Sequence, residues 1–199
     1  MSRGLFVRLS AAIGLALGAL AAPGLPTHGQ VMEGLQVTST SFGDGDYLPE
    51  VHILSATYGF GCAGGNVSPQ LAWSGAPDGA RSFAVTAFDP DAPTGSGFWH
   101  WVVINIPASV SELPAGAGST QTSALPRGAL QTRTDFGAPG YGGPCPPPGD
   151  HLHRYIFTVY PVGLDRLADV TSDTSAAVIG FMLHFNTLAK GEIQGFYKH

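Results

Sequence analysis

The sequence has few positive charges and little uninterrupted hydrophobic chain. Of its 199 residues, 9 are Lys or Arg and 14 are Asp or Glu, which gives a formal net charge of −5. Nucleic-acid-binding proteins neutralise phosphates with clustered Lys and Arg, so this balance argues against nucleic acid as a partner. One long apolar run occurs, from Ala11 to Ala22, and it is shorter than the roughly 20 residues of a bilayer-spanning helix. We therefore expect no integral membrane segment after processing.

The N-terminal segment has no acidic residue before Glu33, and Arg3 and Arg8 precede the apolar run. A short basic region followed by an apolar stretch and small residues is typical of a secretory signal. We predict that residues 1–29 form a signal peptide and short tail, with cleavage between about residues 21 and 30, and that the protein is periplasmic or secreted. The alternative is an uncleaved N-terminal anchor. Cleavage leaves seven Lys and Arg against fourteen Asp and Glu.

The remaining segment, residues 30–199, has the length of one domain that buries its own core. Its many Gly and Pro residues, 28 and 16 in the whole chain, follow no fixed period. This composition predicts numerous turns between short strands and argues against a repeat architecture. We expect a single domain.

Cysteine is scarce, and the two that occur, Cys62 and Cys145, lie in Gly/Pro-rich segments. In an exported protein such a pair is typical of one disulfide. Two separate buried thiols are the alternative. The spacing does not resemble a zinc ribbon.

Strand patterns dominate the rest of the chain. Runs rich in β-branched and aromatic residues, bounded by Pro or Gly, occupy residues 82–89, 99–106 and 153–160, and shorter candidates occupy 35–42, 71–73 and 193–197. One helix is predicted over about residues 174–190, with Gly191 as a stop. Ala177, Phe181, Phe185 and Leu188 share one face of it. The fold class is mostly β with a few helices.

The run 99–106 is apolar in both of its alternating sets. Strict alternation places His100, Val102, Ile104 and Ile106 on one side and Trp99, Trp101 and Val103 on the other. A strand of this kind is covered on both faces.

Polar side chains stand at the ends of the three long runs. Asp89 ends the first run and His100 begins the second, so a hairpin places both residues at the same end of the paired strands. His153 and Tyr155 begin the third and, as residues i and i+2, share a face. Arg154 alternates to the other face, where it is placed to pair with Asp91 or Asp89. If the strands share a sheet, one carboxylate, two imidazoles and a phenol converge.

A Gly/Pro-rich loop, residues 141–149, precedes the third run and contains Gly143 and Cys145. Glycine allows a ligand to approach the main chain closely. We expect exposed amides of this loop, with His100 and His153 as further donors, to bind a phosphate or carboxylate. Asp89 or Tyr155 would suit an amine or hydroxyl beside it.

These motifs, in this order, resemble the phosphatidylethanolamine-binding protein family. The resemblance rests on Asp89-Pro90-Asp91-Ala92-Pro93, Trp99-His100-Trp101 and His153-Arg154-Tyr155, and residues 61–73 and 82–85 resemble its bacterial, Raf-kinase-inhibitor-like branch. It covers roughly residues 35–197. It implies a β-sandwich of two packed antiparallel sheets with a few peripheral helices.

The resemblance also implies an anion pocket at one end of the sandwich. Its positions are occupied by Asp89, Pro93, Phe98, His100, Gly143, Cys145, His153 and Tyr155. Phe98 stands where animal members usually carry Trp, and Cys145 where they carry Gly. A cis Ala92–Pro93 bond is implied as well. Because animal members continue into a helix that closes one side, a more open pocket is expected here.

The function that follows is a binding protein without a cofactor. Its partner would be a small phosphate or carboxylate ligand, a phospholipid head group or a protein docking through the pocket. No nucleophile paired to a base and no Gly-x-Ser-x-Gly elbow is evident, which argues against an enzyme. One alternative is a metal-dependent enzyme with Asp89, His100 and His153 as ligands. Another is an interaction domain that uses its surface.

Overall fold

The computed structural model of the chain describes residue 1 and residues 34–121 and 124–199. The predicted signal segment, apart from its first residue, lies outside the described residues. The strands, in chain order, are β1 Gln36–Thr38, β2 Leu71–Ser74, β3 Ser82–Asp89, β4 Phe98–Pro107, β5 Glu112–Leu113, β6 Leu130–Gln131, β7 His153–Val162 and β8 Gly191–Tyr197. The described residues contain one α-helix, α1, which spans Ala176–Asn186, and 3-10 turns at Glu50–His52 and Ala56–Tyr58.

The strands form two antiparallel sheets, as predicted. The smaller sheet has the order β1-β2-β5, and the larger has the order β6-β4-β3-β7-β8. The three long strands that the sequence pattern identified, β3, β4 and β7, are therefore neighbours at the centre of the larger sheet. No helix within the described residues has both the length and the apolar character needed to cross a bilayer.

The larger sheet is buried on both faces. One face packs against the smaller sheet around Leu71, Val85, Trp101 and Phe157. The opposite face packs against α1 through a second apolar cluster that includes Val102 and Ile179. Apolar side chains on both sides of β4 are thus removed from water, which explains why its sequence shows no polar face.

Two β-bulges in β4 correct the predicted alternation. Ala87 pairs with Trp101 and Phe88 with Trp99, so His100 is an extra residue with no partner of its own on β3. A second irregularity accompanies Asn105, whose φ is 58°. Each extra residue shifts the alternation by one. His100 and Ile106 therefore do not share a face with Val102 and Ile104.

The helix α1 is shorter than predicted and turns a different face to the core. Ser175 caps its start, since its Oγ accepts a hydrogen bond from the Val178 amide. Ala176, Ile179 and Leu183 are buried, whereas Phe181 and Phe185, on the predicted face, are 67% and 68% exposed. The helix is apolar on more than one side, so periodicity did not determine which side packs against the sheet.

Candidate functional site

A cavity of about 200 Å³ opens at one end of the larger sheet. The end of β3 lies between the beginnings of β4 and β7, because both neighbours run antiparallel to it. The polar residues of the three strands meet there as predicted. The residues that line the cavity are Leu54, Phe60, Asp89, Ala92, Pro93, Thr94, Phe98, His100, Phe136, Cys145, Pro147, His153 and Tyr155.

Asp89 and His153 form a buried hydrogen-bonded pair on the cavity wall. The Asp89 Oδ2 atom lies 2.7 Å from Nδ1 of His153, and its Oδ1 accepts the Asp91 amide at 2.8 Å. Both side chains are almost completely buried. A carboxylate only accepts, so Nδ1 of His153 carries the hydrogen and Nε2 is left for other contacts. Asp89 therefore sets the orientation and the tautomer of His153.

His100 is held by the loop that follows β6. Its Nδ1 lies 2.7 Å from the Gly142 carbonyl oxygen, and the Gly142 amide donates to the His100 carbonyl at 2.9 Å. Nδ1 therefore donates, and Nε2 is the nitrogen left for a ligand. Burial lowers the pKa of His100 below its usual value, although the Gly142 carbonyl opposes this shift. The lowered pKa favours the neutral ring in the ligand-free protein.

Tyr155 contributes a buried hydroxyl that has no hydrogen-bond partner within the described part of the chain. Burial, and then the negative charge of Asp89, raise the pKa of this phenol above its usual value. Asp89 raises this pKa chiefly through its charge, because its carboxylate and the Tyr155 hydroxyl do not meet hydrogen-bond geometry. The hydroxyl stays protonated and is a donor without an acceptor, an arrangement that is uncommon for buried polar groups.

The Gly/Pro-rich loop does not present its glycine amides to the cavity, contrary to expectation. The Gly142 amide is bonded to His100, and the Gly143 amide donates to Oδ1 of Asn66 at 2.8 Å. Gly143 itself is buried behind the cavity wall, against the main chain of residues 52–54. These amides are already used by the fold, so they orient the loop and leave anion binding to side chains.

Cys62 and Cys145 form a disulfide, with their Cα atoms 5.9 Å apart. Cys62 is buried in the core, whereas Cys145 lines the cavity. The bond joins the segment around Cys62 to the loop that holds His100. It therefore supports the cavity wall from a residue that is not part of the lining.

Two further expectations concern the Asp-Pro-Asp-Ala-Pro segment. Arg154 pairs with Asp91, with its Nη2 atom 2.7 Å from Oδ1 and its Nε 2.8 Å from Oδ2. The hydrogen bond from Arg154 lowers the pKa of Asp91 to about 2. The prediction of a cis Ala92–Pro93 bond is wrong, because no described residue has a cis peptide bond. The trans isomer is the lower-energy form of an X-Pro bond.

Sequence reasoning missed most of the apolar side of the cavity. Phe136 packs edge-on against Phe98 and His100, at ring-centroid distances of 4.9 and 5.4 Å. Phe60 and Leu54 complete this wall. Phe136 and Phe60 come from irregular segments, where no periodicity marks an inward-facing side chain.

The metal centre considered from sequence, formed by Asp89, His100 and His153, receives no support from the geometry. Asp89 and His153 are in direct hydrogen-bond contact at 2.7 Å, too close for an ion between them. His100 uses its Nδ1 atom on the Gly142 carbonyl. These residues hold one another and the loop in position.

Fold and cavity together define a two-sheet β protein with a small pocket of carboxylate, imidazole and phenol groups at one sheet end. The family profile described as phosphatidylethanolamine-binding protein matches residues 38–198, and the chain belongs to this family. It is 51% identical over 163 residues to the UPF0098 protein YbcL of Escherichia coli K12, covering 82% of this chain and 87% of that protein. Identity to the UPF0098 protein YbhB of the same organism is 49%, covering 82% and 99%.

The fold is also similar to the crystal structure of E. coli YbcL, described as a member of the mammalian PEBP family. The TM-score is 0.80 at 50% sequence identity, and the match covers 83% of this chain and 99% of that chain. The predicted family and fold class are thereby confirmed.

Proposed function

We propose that this protein binds a small anionic group, a phosphate or a carboxylate, in the cavity at the end of β3, β4 and β7. The observation that carries the proposal is the pair of polar groups left without protein partners at the cavity. Nε2 of His100 and the hydroxyl of Tyr155 are not used by the described residues, although both side chains are buried. An anion oxygen supplies an acceptor for the phenol, and for His100 once its ring is protonated.

The cavity dimensions and walls define the kind of ligand. About 200 Å³ accommodates a head group and little more. Phe98, Phe136 and Phe60 form an apolar wall beside the polar floor. This combination suits a compact anion that carries an apolar or ethanolamine-like substituent, whether it belongs to a phospholipid head group, a small phosphorylated molecule or a partner protein.

Tyr155→Phe is the sharpest test of this proposal. Loss of a hydrogen bond to a charged group is expected to weaken the affinity for phosphoethanolamine about tenfold, measured by titration calorimetry. The same change removes a buried hydroxyl that lacks a partner, so we expect the free energy of unfolding to rise by about 1 kcal/mol. Weaker binding together with higher stability in this variant would show that the Tyr155 hydroxyl donates to the ligand and does not stabilise the fold.

The matched control is Tyr47→Phe, which removes a hydroxyl from an exposed tyrosine that does not line the cavity. It should change neither the affinity nor the stability. The proposal fails if the unaltered protein binds neither phosphoethanolamine, inorganic phosphate nor acetate. Unchanged affinity in Tyr155→Phe would remove the phenol from the binding group.

Anion affinity should fall as pH rises. Because burial lowers the pKa of His100 in the free protein, binding at neutral pH requires the ring to take up a proton, and this becomes less favourable at higher pH. The lowered pKa of His100 also stabilises the folded state at pH values above the ordinary pKa of histidine. This stabilisation is lost as the pH falls through the lowered pKa of the folded protein. Asp89 and Asp135 act in the opposite direction by favouring the charged ring.

Calorimetry with glycerophosphoethanolamine between about pH 5 and 8 measures this dependence, since its phosphodiester keeps one negative charge throughout. His100→Gln should flatten the profile, and His184→Ala, on the exposed side of α1, should not. Affinity that is constant or rises with pH in the unaltered protein would contradict a histidine-based anion site.

We further propose that the protein is exported. The basic and apolar pattern before Glu33 supports this, as does the Cys62–Cys145 disulfide, since such bonds persist in oxidising compartments. Sequencing of the mature N terminus should place cleavage between about residues 21 and 30. A cytoplasmic protein that retains residue 1 would contradict it.

A further inference from the structure

A second group of polar residues includes His153, which also lines the cavity. Asp150 and His151 belong to the turn that precedes β7, and His153 is the first residue of that strand. One potential ligand atom from each of these side chains lies within 4.8 Å of the others. The anion-binding proposal uses neither Asp150 nor His151.

His153 leaves one nitrogen without a partner in this group. The side chain is 1% exposed, and Nε2 makes no hydrogen bond within the described part of the chain. The nearest carboxylate oxygen, Oδ2 of Asp150, lies 3.5 Å away. Because Nδ1 is held by Asp89, Nε2 is the ring nitrogen left for a metal ion, and it faces the Asp150 carboxylate. A divalent cation placed between these two atoms would give both of them a partner.

We propose that Asp150, His151 and His153 form a site for a divalent transition-metal ion, with zinc as the best-matched ion. Nitrogen and oxygen ligands at about 2.0–2.1 Å from a tetrahedral zinc ion lie roughly 3.4 Å apart, close to the observed separation of Nε2 and Oδ2. Two imidazoles and one carboxylate are a recognised zinc ligand set that leaves the fourth position open. This site goes beyond the proposed anion function.

The surroundings of His153 fit a metal ligand. Histidine ligands commonly donate their other ring nitrogen to a carboxylate, which fixes the ring and increases its basicity. Asp89 makes this contact with His153 at 2.7 Å and is itself held by the Asp91 amide. The buried ligand is therefore oriented before any ion arrives.

His151 completes the set by a rotation of its side chain. Its Nδ1 is bonded to Oδ1 of Asp150 at 2.8 Å, and its ring lies 4.8 Å from the ring of His153, centroid to centroid. The side chain is 61% exposed, so it is free to turn a nitrogen toward an ion next to His153.

A second cluster with metal-ligand chemistry occurs in the described part of the chain, and it does not compete in the oxidised protein. It consists of Cys62, Cys145 and His199, and its two sulfur atoms are joined in the disulfide. Thiolates are required for metal coordination by cysteine. His199 therefore provides a control for binding elsewhere on the molecule.

The test is calorimetric titration of chelator-treated, disulfide-intact protein with Zn²⁺ in a non-coordinating buffer. We expect one equivalent to bind, and Asp150→Asn and His151→Ala each to weaken binding at least tenfold. Both residues are on a surface turn, so folding should be preserved. Titration with Co²⁺ should produce visible d–d bands of a nitrogen- and oxygen-ligated ion, and these bands should be lost in both variants.

His184→Ala and His199→Ala are the matched controls and should bind Zn²⁺ as the unaltered protein does. Absence of stoichiometric binding overturns the proposal. So does undiminished binding in Asp150→Asn and His151→Ala, or loss of binding in either control. No anion ligand is present in these titrations, so their outcome is independent of whether the cavity binds an anion.

Discussion

Breaking the Cys62–Cys145 disulfide is expected to lower the free energy of unfolding by about 4.5 kcal/mol. The two residues are separated by 83 positions, and in the chain-entropy model a closed loop of this size restricts the unfolded chain by that amount. Chemical denaturation of Cys62→Ser/Cys145→Ser beside the oxidised protein measures the difference. Reduction of the unaltered protein should produce a similar loss, because it removes the same constraint.

The single variant Cys62→Ser tests the link between the disulfide and the cavity. Cys62 does not line the cavity, but its bond fixes the loop whose Gly142 carbonyl orients His100. Weaker affinity for phosphoethanolamine in this variant would show that the bond positions the loop. Two free thiols in the oxidised protein, detected by intact mass after alkylation, would disprove the bond, and affinity equal to that of the unaltered protein would disprove the link.

Gly143→Ala is expected to lower the free energy of unfolding by about 3 kcal/mol and to weaken anion binding as well. A Cβ atom at this position would lie 2.3 Å from the His52 carbonyl oxygen, 2.6 Å from the Leu54 amide nitrogen and 2.7 Å from the Ile53 carbonyl carbon. All three are backbone atoms, which cannot rotate away as a side chain can. The loop must move outward, at a cost typical of severe overpacking.

This displacement should reach His100 through the neighbouring residue. The Gly142 carbonyl keeps the hydrogen of His100 on Nδ1, so a shifted loop changes the tautomer and the direction of Nε2. Nitrogen chemical shifts of the His100 ring measured by NMR report the tautomer, and denaturation reports the stability. Gly34→Ala is the control, because its Cβ would meet no atom within 4 Å. If Gly143→Ala behaves as Gly34→Ala does, close packing of the loop is not what holds His100.

The long strands and most of the site could be predicted from sequence because both depend on local pattern. β3 was predicted with its observed bounds, since a run of β-branched and aromatic residues ends at Asp89 and a turn follows. His153 and Tyr155 share a face because residues i and i+2 do so in any regular strand. Asp89 and His100 meet because a hairpin joins their strands. Seven of the eight predicted pocket residues line the cavity, and the eighth, Gly143, supports its wall.

Hydrogen-bond partners, by contrast, depended on contacts between distant segments. Glycine amides in a loop predict an anion site only if they make no hydrogen bond within the protein. Here they donate hydrogen bonds to the His100 carbonyl and to the Asn66 side chain. Phe136 reaches the cavity from a turn 36 positions after His100, which no local periodicity indicates. The unpartnered nitrogen of His153 became evident only once Asp89 was seen on the opposite ring nitrogen.

The sequence by itself determined the β-rich class, the three central strands and the residue types at their ends, because alternation and turn residues act over a few positions. Only the tertiary structure decided which faces these side chains occupy. A bulge at His100 reverses the alternation of β4, and α1 packs through Ile179 and Leu183 while Phe181 and Phe185 remain exposed. Both outcomes depend on the fit between whole packed surfaces, where an extra residue or a rotated helix is stabilised by neighbours that lie far away in the chain.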